Sequence, residues 1–214
     1  SAAHLLDGPG QAAFHRGGGG VDVVAVEAQA GFQAQGVARA QADGLDFGLR
    51  QQGAGLFFGG EIALRFRSNP NFHAPDPAKP MILIGNGTGI AGLRAHLRAR
   101  IDAGARRTWL LFGERTQAHD FYFGDELTAW QQAGWIEHLD TVFSRDGGEH
   151  RYVQDRLQAH IDRLWEWSRE GATILVCGSL QGMAPAVDAV IEQALGREGK
   201  EALIVAGRYR RDVY

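Results

Sequence analysis

Three glycines, Gly85, Gly87 and Gly89, stand in the run ILIGNGTGIAGLRAHL where an apolar stretch gives way to a helical pattern. Such a turn uncovers backbone amides and aims the positive end of a helix dipole at whatever lies in front of it, which is the chemistry of a diphosphate site. Asn86 and Thr88 occupy the places between the glycines. The spacing is G-x-G-x-G, with Ile90 where the dinucleotide fingerprint puts its last glycine. A tight strand-to-helix turn also uses glycine for geometry alone, so the glycines by themselves leave both readings open.

Cys177 is the second candidate. It closes the apolar run TILVC and is followed by Gly178, a position that delivers its sulfur to the outgoing edge of a sheet, where ligands bind. A cysteine that only packs is the alternative. Cys177 is the single cysteine of the chain, which excludes an internal disulfide and a multi-cysteine zinc or iron–sulfur centre and suits a reducing compartment. His96, His119, His138, His150 and His160 show no metal-ligand spacing, so no metal site is expected.

These groups need a scaffold, and the sequence from Pro80 onward supplies one. Short apolar runs alternate with helical stretches, the signature of a parallel sheet covered by helices. Strands are expected at Met81 to Ile84, Thr108 to Phe112, Ile136 to Phe143, Thr173 to Cys177 and Ala202 to Ala206. Helices are expected at Ile90 to Ala103, Phe123 to Ala133, Tyr152 to Ser168 and Met183 to Leu195. In the helix RLWEWSRE, Trp165 and Trp167 fall on different faces, and at least one should pack on the sheet.

The first 60 residues differ in texture, being rich in Gly, Ala and Gln with four glycines at 17–20. Val21 to Val26 has a strand pattern there, but few large residues are present to close a core. GGEIALRFRSNPNF then alternates apolar and charged residues as a half-buried strand does, and HAPDPAKP reads as a connector. The expected organisation is an incomplete segment and connector over 1–78 and a nucleotide-binding domain over 79–214. The whole chain has 214 residues, a net charge of -3 and 44% hydrophobic residues, enough for a core and without general attraction to nucleic acid or anionic membranes. Without a long apolar run or a signal pattern, a soluble, cytoplasmic protein is expected, membrane attachment through parts of a longer protein remaining open.

Five motifs in order, the glycine turn, LLFGERTQAHDFYFGDEL, VFSRDGGEHRYVQDRL, ILVCGSLQGMAPAV and the terminal GRYRRDVY, resemble the NADPH-binding module of the ferredoxin-NADP reductases. Within that superfamily the diflavin reductases, such as the sulfite reductase flavoprotein subunit, are the most similar. The resemblance covers about residues 80 to 214 and implies a doubly wound parallel sheet. It implies that Gly85, Asn86, Gly87, Thr88 and Gly89 support the pyrophosphate and the nicotinamide side of NADPH. Ser144, Arg145, Tyr152 and Gln154 would surround the 2′-phosphate and adenine, which suits a guanidinium fork, a hydroxyl donor and an aromatic face. His150 stands where the family often has lysine, and Arg151 is the residue that can supply the charge. Cys177, with Gly178, would lie beside the nicotinamide, and Tyr214 would cover a flavin ring and move aside for nicotinamide. Ser179 and Ala186 replace acids of the family, so an acidic partner is missing from its usual place; Asp188 lies on another helical face and takes no such role.

The implied activity is that of an NADPH-dependent flavoprotein oxidoreductase, passing a hydride from NADPH to FAD and electrons onward to an acceptor carrying FMN, haem or an iron–sulfur centre. The alternative is a module that binds NADPH without turnover, because no R-x-[YF]-S flavin strand is found in residues 1–60. An unrelated leader after truncation, or a locally altered reading frame, would each account for that segment, and binding of FAD by this chain is left open.

Overall fold

The computed structural model describes residues 71–214 throughout and, before them, four short strands: β1 (Val24–Val26), β2 (Gln41–Ala42), β3 (Leu45–Asp46) and β4 (Phe66–Ser68). β1 pairs antiparallel with β4, and β2 with β3. The expected strand over 21–26 is described only at β1, and the alternating residues Ile62 to Arg65 lie outside the described residues, as does most of 1–60.

The larger part of the described chain is a five-stranded sheet of β5 (Met81–Asn86), β6 (Thr108–Glu114), β7 (His138–Phe143), β8 (Thr173–Gly178) and β9 (Tyr209–Val213). Their spatial order is β7-β6-β5-β8-β9 and every pairing is parallel. Parallel neighbours need crossovers, and these are α1 (Ile90–Asp102), α2 (Gln117–Asp120), α3 (Gly124–Gln132), α4 (Val153–Ala159), α5 (Ile161–Arg169) and α6 (Met183–Val205). This is the doubly wound α/β architecture that the alternating pattern predicts.

Side chains alternate across the central strand. Met81 and Leu83 enter a core with Leu93 and Leu97 of α1, Leu127 of α3 and Leu175 of β8. Ile82 and Ile84 enter the opposite core with Leu157, Leu164, Val187 and Ile191 from α4, α5 and α6. Each of these buried side chains contributes roughly 1.5–3 kcal/mol, so both faces of β5 are committed and a polar replacement at Leu83 would break the α1 side. Trp167 is buried in the second core while Trp165 is exposed on the other side of α5, as the helical spacing requires.

Two elements differ from expectation. The strand expected at Ala202 to Ala206 is instead the end of α6, helical through Val205 beyond a break at Gly196, and the fifth strand lies further on at Tyr209–Val213. The apolar run LIV is short enough to suit a helix or a strand; here it buries Leu203 and leaves Ile204 and Val205 exposed. β9 reads as polar because it is an edge strand, with partners on one side only. Asp188 of α6 fastens it, accepting hydrogen bonds from Tyr209 Oη at 3.0 Å and Lys200 Nζ at 2.7 Å. The long helix expected over Tyr152 to Ser168 is two, α4 and α5, separated at His160, whose backbone is non-helical.

The connector before β5 packs down rather than hanging free. Phe72 is 2% exposed and joins the α1-side core, and Arg210 of β9 donates to the His73 carbonyl at 2.7 Å. Buried Arg100 of α1 holds the other end, donating to the Lys79 carbonyl and to Thr108 Oγ1, each at 3.0 Å. The entry of the chain into β5 is thereby fixed from both sides.

Candidate functional site

β5 ends at Asn86 and passes through one turn of 3-10 helix, Gly87–Gly89, directly into α1. The glycines permit a close approach of backbones. A Cβ at Gly85 would meet the Cys177 carbonyl oxygen at 2.5 Å, and one at Gly89 would overlap that oxygen and meet Gly178 N at 2.9 Å. The turn is therefore pressed against the end of β8, and no larger residue fits at either place. The first turn of α1 carries no acidic residue, so the positive end of its dipole is not neutralised there.

Asn86 is engaged in joining this turn to the next loop, its Oδ1 accepting the Ser179 backbone N–H at 2.9 Å. Gly178 has φ +134° and lies against the Asn86 backbone, where a Cβ would meet the Asn86 carbonyl oxygen at 2.7 Å. Tyr214 closes the same corner. Its N–H donates to the Gly178 carbonyl at 3.1 Å, its carbonyl accepts from Leu180 N at 3.0 Å, and its hydroxyl shares a 2.7 Å hydrogen bond with Thr88 Oγ1. The last side chain of the sequence thus spans from the β8 loop to the glycine turn, while its ring remains largely exposed.

Cys177 lies between Gly85 on β5 and Asp212 on β9 in the parallel register. Burial, and secondarily the Asp212 carboxylate, pushes its thiol up to about 12, so at neutral pH it is a protonated, weakly polar surface and no nucleophile. Asp212 is itself raised above the usual carboxylate range by burial. This is an acid beside the cysteine that the sequence reading does not supply. Its signal, the D of RRDVY, becomes legible only once the last strand is placed at 209–213 instead of 202–206. Asp188 belongs to the clamp on Tyr209, consistent with its exclusion from such a role.

On the other side of the turn, the chain continues the β6–β7 pairing beyond the strands. Ser144 N donates to the Glu114 carbonyl and Arg145 N to the Arg115 carbonyl, each at 2.8 Å. Arg151 Nε donates to the Ser144 carbonyl at 3.3 Å, and its guanidinium lies 5.9 Å from the centroid of the Tyr152 ring. Tyr152 precedes α4, held by its N–H to Asp155 Oδ2 at 3.0 Å, and half of its surface is exposed. Gln154 follows in the first turn of α4, next to buried Val153. Asp146, which could offset Arg145, instead accepts the Gln117 N–H at 2.8 Å.

The expected groups therefore fall along one edge. Ser144, Arg145, Arg151, Tyr152 and Gln154 follow β7, the glycine turn follows β5, and Cys177 and Tyr214 lie at the ends of β8 and β9, with Asp212, which was not among the expected groups, on β9 beside Cys177. With strands about 4.8 Å apart, the distance from β7 to β8 is about 14 Å, a span suited to an extended dinucleotide. Among the described residues no group of three or more His, Cys, Asp or Glu is arranged to hold a metal ion.

The oxidoreductase NAD-binding domain family matches residues 83–189. The chain is 37% identical over 167 residues to the sulfite reductase [NADPH] flavoprotein alpha-component of Mannheimia succiniciproducens, covering 72% of this chain and 28% of that protein. It is 36% identical over 183 residues to that of Photobacterium profundum, covering 77% and 30%, and 34% identical over 168 residues to that of Bacillus subtilis, covering 73% and 28%. The chain thus spans less than a third of the length of these relatives. With that match and with an all-parallel sheet whose glycine turn adjoins Cys177, the chain belongs to the oxidoreductase NAD-binding domain family, in the branch of the ferredoxin-NADP reductase modules.

Proposed function

We propose that the carboxyl edge of this sheet holds NADPH and presents its nicotinamide for hydride transfer to FAD, with electrons passing onward to an acceptor containing FMN, haem or an iron–sulfur centre. The observation that carries the reading is the order of groups along the edge: Ser144 and Arg145 beyond β7, the glycine turn at β5, and Cys177 level with Asp212 at β8 and β9. When bound, NADPH supplies the hydride; the residues supply position and electrostatics.

Arg145 and Ser144, supported by Arg151, receive the 2′-phosphate, and the exposed face of Tyr152 takes the adenine. Gln154, in the first turn of α4, is assigned to the same adenine. The amides of Gly85 to Gly89 and the start of α1 hold the diphosphate. Cys177 offers a neutral wall to the nicotinamide, and Asp212 places a negative charge near a ring that becomes cationic as it loses hydride. Tyr214 covers the space over Thr88 and leaves it when nicotinamide enters. No described helix is long and apolar enough to cross a membrane, and the reading assigns the protein to the cytoplasm.

The test is a titration of the parent and Arg145→Ala with NADPH and NADH. NADPH should bind tighter to the parent, and the substitution should cost about 1.5–3 kcal/mol for NADPH while leaving NADH almost unchanged. Equal affinity for the two cofactors would overturn the phosphate assignment. The absence of an R-x-[YF]-S strand from residues 1–60 favours a second reading, a module that binds NADPH without turnover. Yellow flavin absorbance of the purified chain supports the first, and a colourless chain that still binds NADPH the second.

A further inference from the structure

β9 carries Asp212 and leads to Tyr214, yet its own residues do little to fix where it lies along β8. It is an edge strand, paired with β8 alone. Of its five residues only Tyr209 is buried. A strand with so little apolar patterning has a weakly specified register. Here the register matters, since it sets Asp212 level with Cys177 and Val213 level with Gly178.

Tyr209 supplies what the pattern lacks. Its ring enters the core that holds Ile174, Val187 and Ile191, and its hydroxyl donates to Asp188 Oδ1 at 3.0 Å. Arg211, two residues on and on the same face of the strand, brings Nη1 to 4.0 Å from that oxygen. The other oxygen, Oδ2, accepts from Lys200 Nζ at 2.7 Å. In a straight helix residues 188 and 200 would stand about 18 Å apart, so this contact requires α6 to turn back at Gly196, whose φ of +72° breaks the helix. Asp188 is thus held by Lys200 while it holds Tyr209. A slip of β9 that keeps the same faces moves the strand by two residues, about 6.6 Å, and takes the Tyr209 hydroxyl out of reach of Asp188. The other side-chain holds on this segment, Arg210 on the His73 carbonyl and Tyr214 on Thr88, are exposed, and in the proposed reaction Tyr214 leaves Thr88 when nicotinamide enters. We infer that Asp188 is a positioning residue: through Tyr209 it pins the register of β9 and keeps Asp212 beside Cys177 while Tyr214 moves. Its service to the nicotinamide rests on the proposed NADPH reading; the pin itself does not.

Cys177 is the single cysteine of the chain, so alkylation by iodoacetamide reports the β8–β9 edge alone. Its thiol, held up by burial and by Asp212, loses both when β9 leaves its register. Rates are compared at one fixed pH for the parent, Asp188→Ala, Tyr209→Phe and Asp188→Asn, across urea concentrations below the unfolding transition. Asp188→Ala and Tyr209→Phe should react roughly ten- to hundredfold faster than the parent with little dependence on urea, because the edge opens locally. Asp188→Asn, which keeps an acceptor oxygen for Tyr209, should stay near the parent. A contact that merely stabilises the domain would instead speed alkylation through global unfolding, with the steep urea dependence of that transition. That outcome, or parent rates in both Asp188→Ala and Tyr209→Phe, overturns the inference. Saturating NADPH should slow the alkylation of Asp188→Ala, whereas adenosine 2′,5′-bisphosphate, which lacks the nicotinamide half, should not. No protection by NADPH overturns this edge as the nicotinamide site and leaves the register pin standing.

Discussion

Acid should destabilise this domain, and most strongly through His96. His96 lies on α1 with 0% of its surface exposed, edge-on to Phe72 at 4.9 Å between ring centroids, and neither ring nitrogen has a well-formed hydrogen bond. Burial first, then the nearby Arg210 and His73 side chains, lower its pKa from 6.5 to about 4, against a weak opposing effect of the Phe72 backbone. The native state thus refuses a proton that the unfolded chain accepts. Its contribution is complete above pH 6.5 and is lost as pH falls from there through about 4. The total is about 3 kcal/mol, of which about 2 should be gone by about pH 5. Urea unfolding followed by tryptophan fluorescence measures this, and a loss of about 2 kcal/mol moves the midpoint by about 1 M. In His96→Phe, which keeps a ring in the same place and removes the nitrogens, the acid limb should flatten by that amount. His138 and His160, both also lowered mainly by burial, remain in both proteins and cancel in the comparison. Parallel curves for parent and variant between about pH 7.5 and about pH 5 would refute the assignment.

The glycine turn and the terminal tyrosine give two more tests. Gly89→Ala puts a methyl group against the backbone of Cys177 and Gly178, where no rotamer can relieve it, and should cost about 1–3 kcal/mol together with a loss of NADPH affinity. Gly92→Ala, whose Cβ would meet only Cys177 Sγ at 3.3 Å and the Phe72 ring at 3.8 Å, is the control, and equal stability of the two variants would contradict the account. Tyr214→Ala removes the bridge to Thr88 and should tighten NADPH by about fivefold, the worth of one hydrogen bond, with adenosine 2′,5′-bisphosphate unaffected. Weaker NADPH binding in that variant would show that the ring assists rather than blocks.

The sheet was legible because β5, β6 and β8 are buried on both faces and read as unbroken apolar runs between helical stretches. β9 was hidden for the opposite reason. An edge strand tolerates Arg210, Arg211 and Asp212, whereas Leu203, Ile204 and Val205 just before it look like a strand and belong to a helix. That exchange concealed Asp212, since its place beside Cys177 is a matter of strand register and not of spacing along the chain. The break at His160 and the hold of Tyr214 on Thr88 are tertiary facts of the same kind, joining residues whose separation carries no period.

The central claim is tested most directly by a crystal structure of the chain with NADPH bound. The account predicts adenine on Tyr152, the 2′-phosphate between Ser144 and Arg145, the diphosphate before the Gly85 to Gly89 turn, and nicotinamide at Cys177 with the Tyr214 ring displaced from Thr88. A dinucleotide seated at the opposite edge of the sheet, or one lying reversed with its nicotinamide at β7, would contradict it.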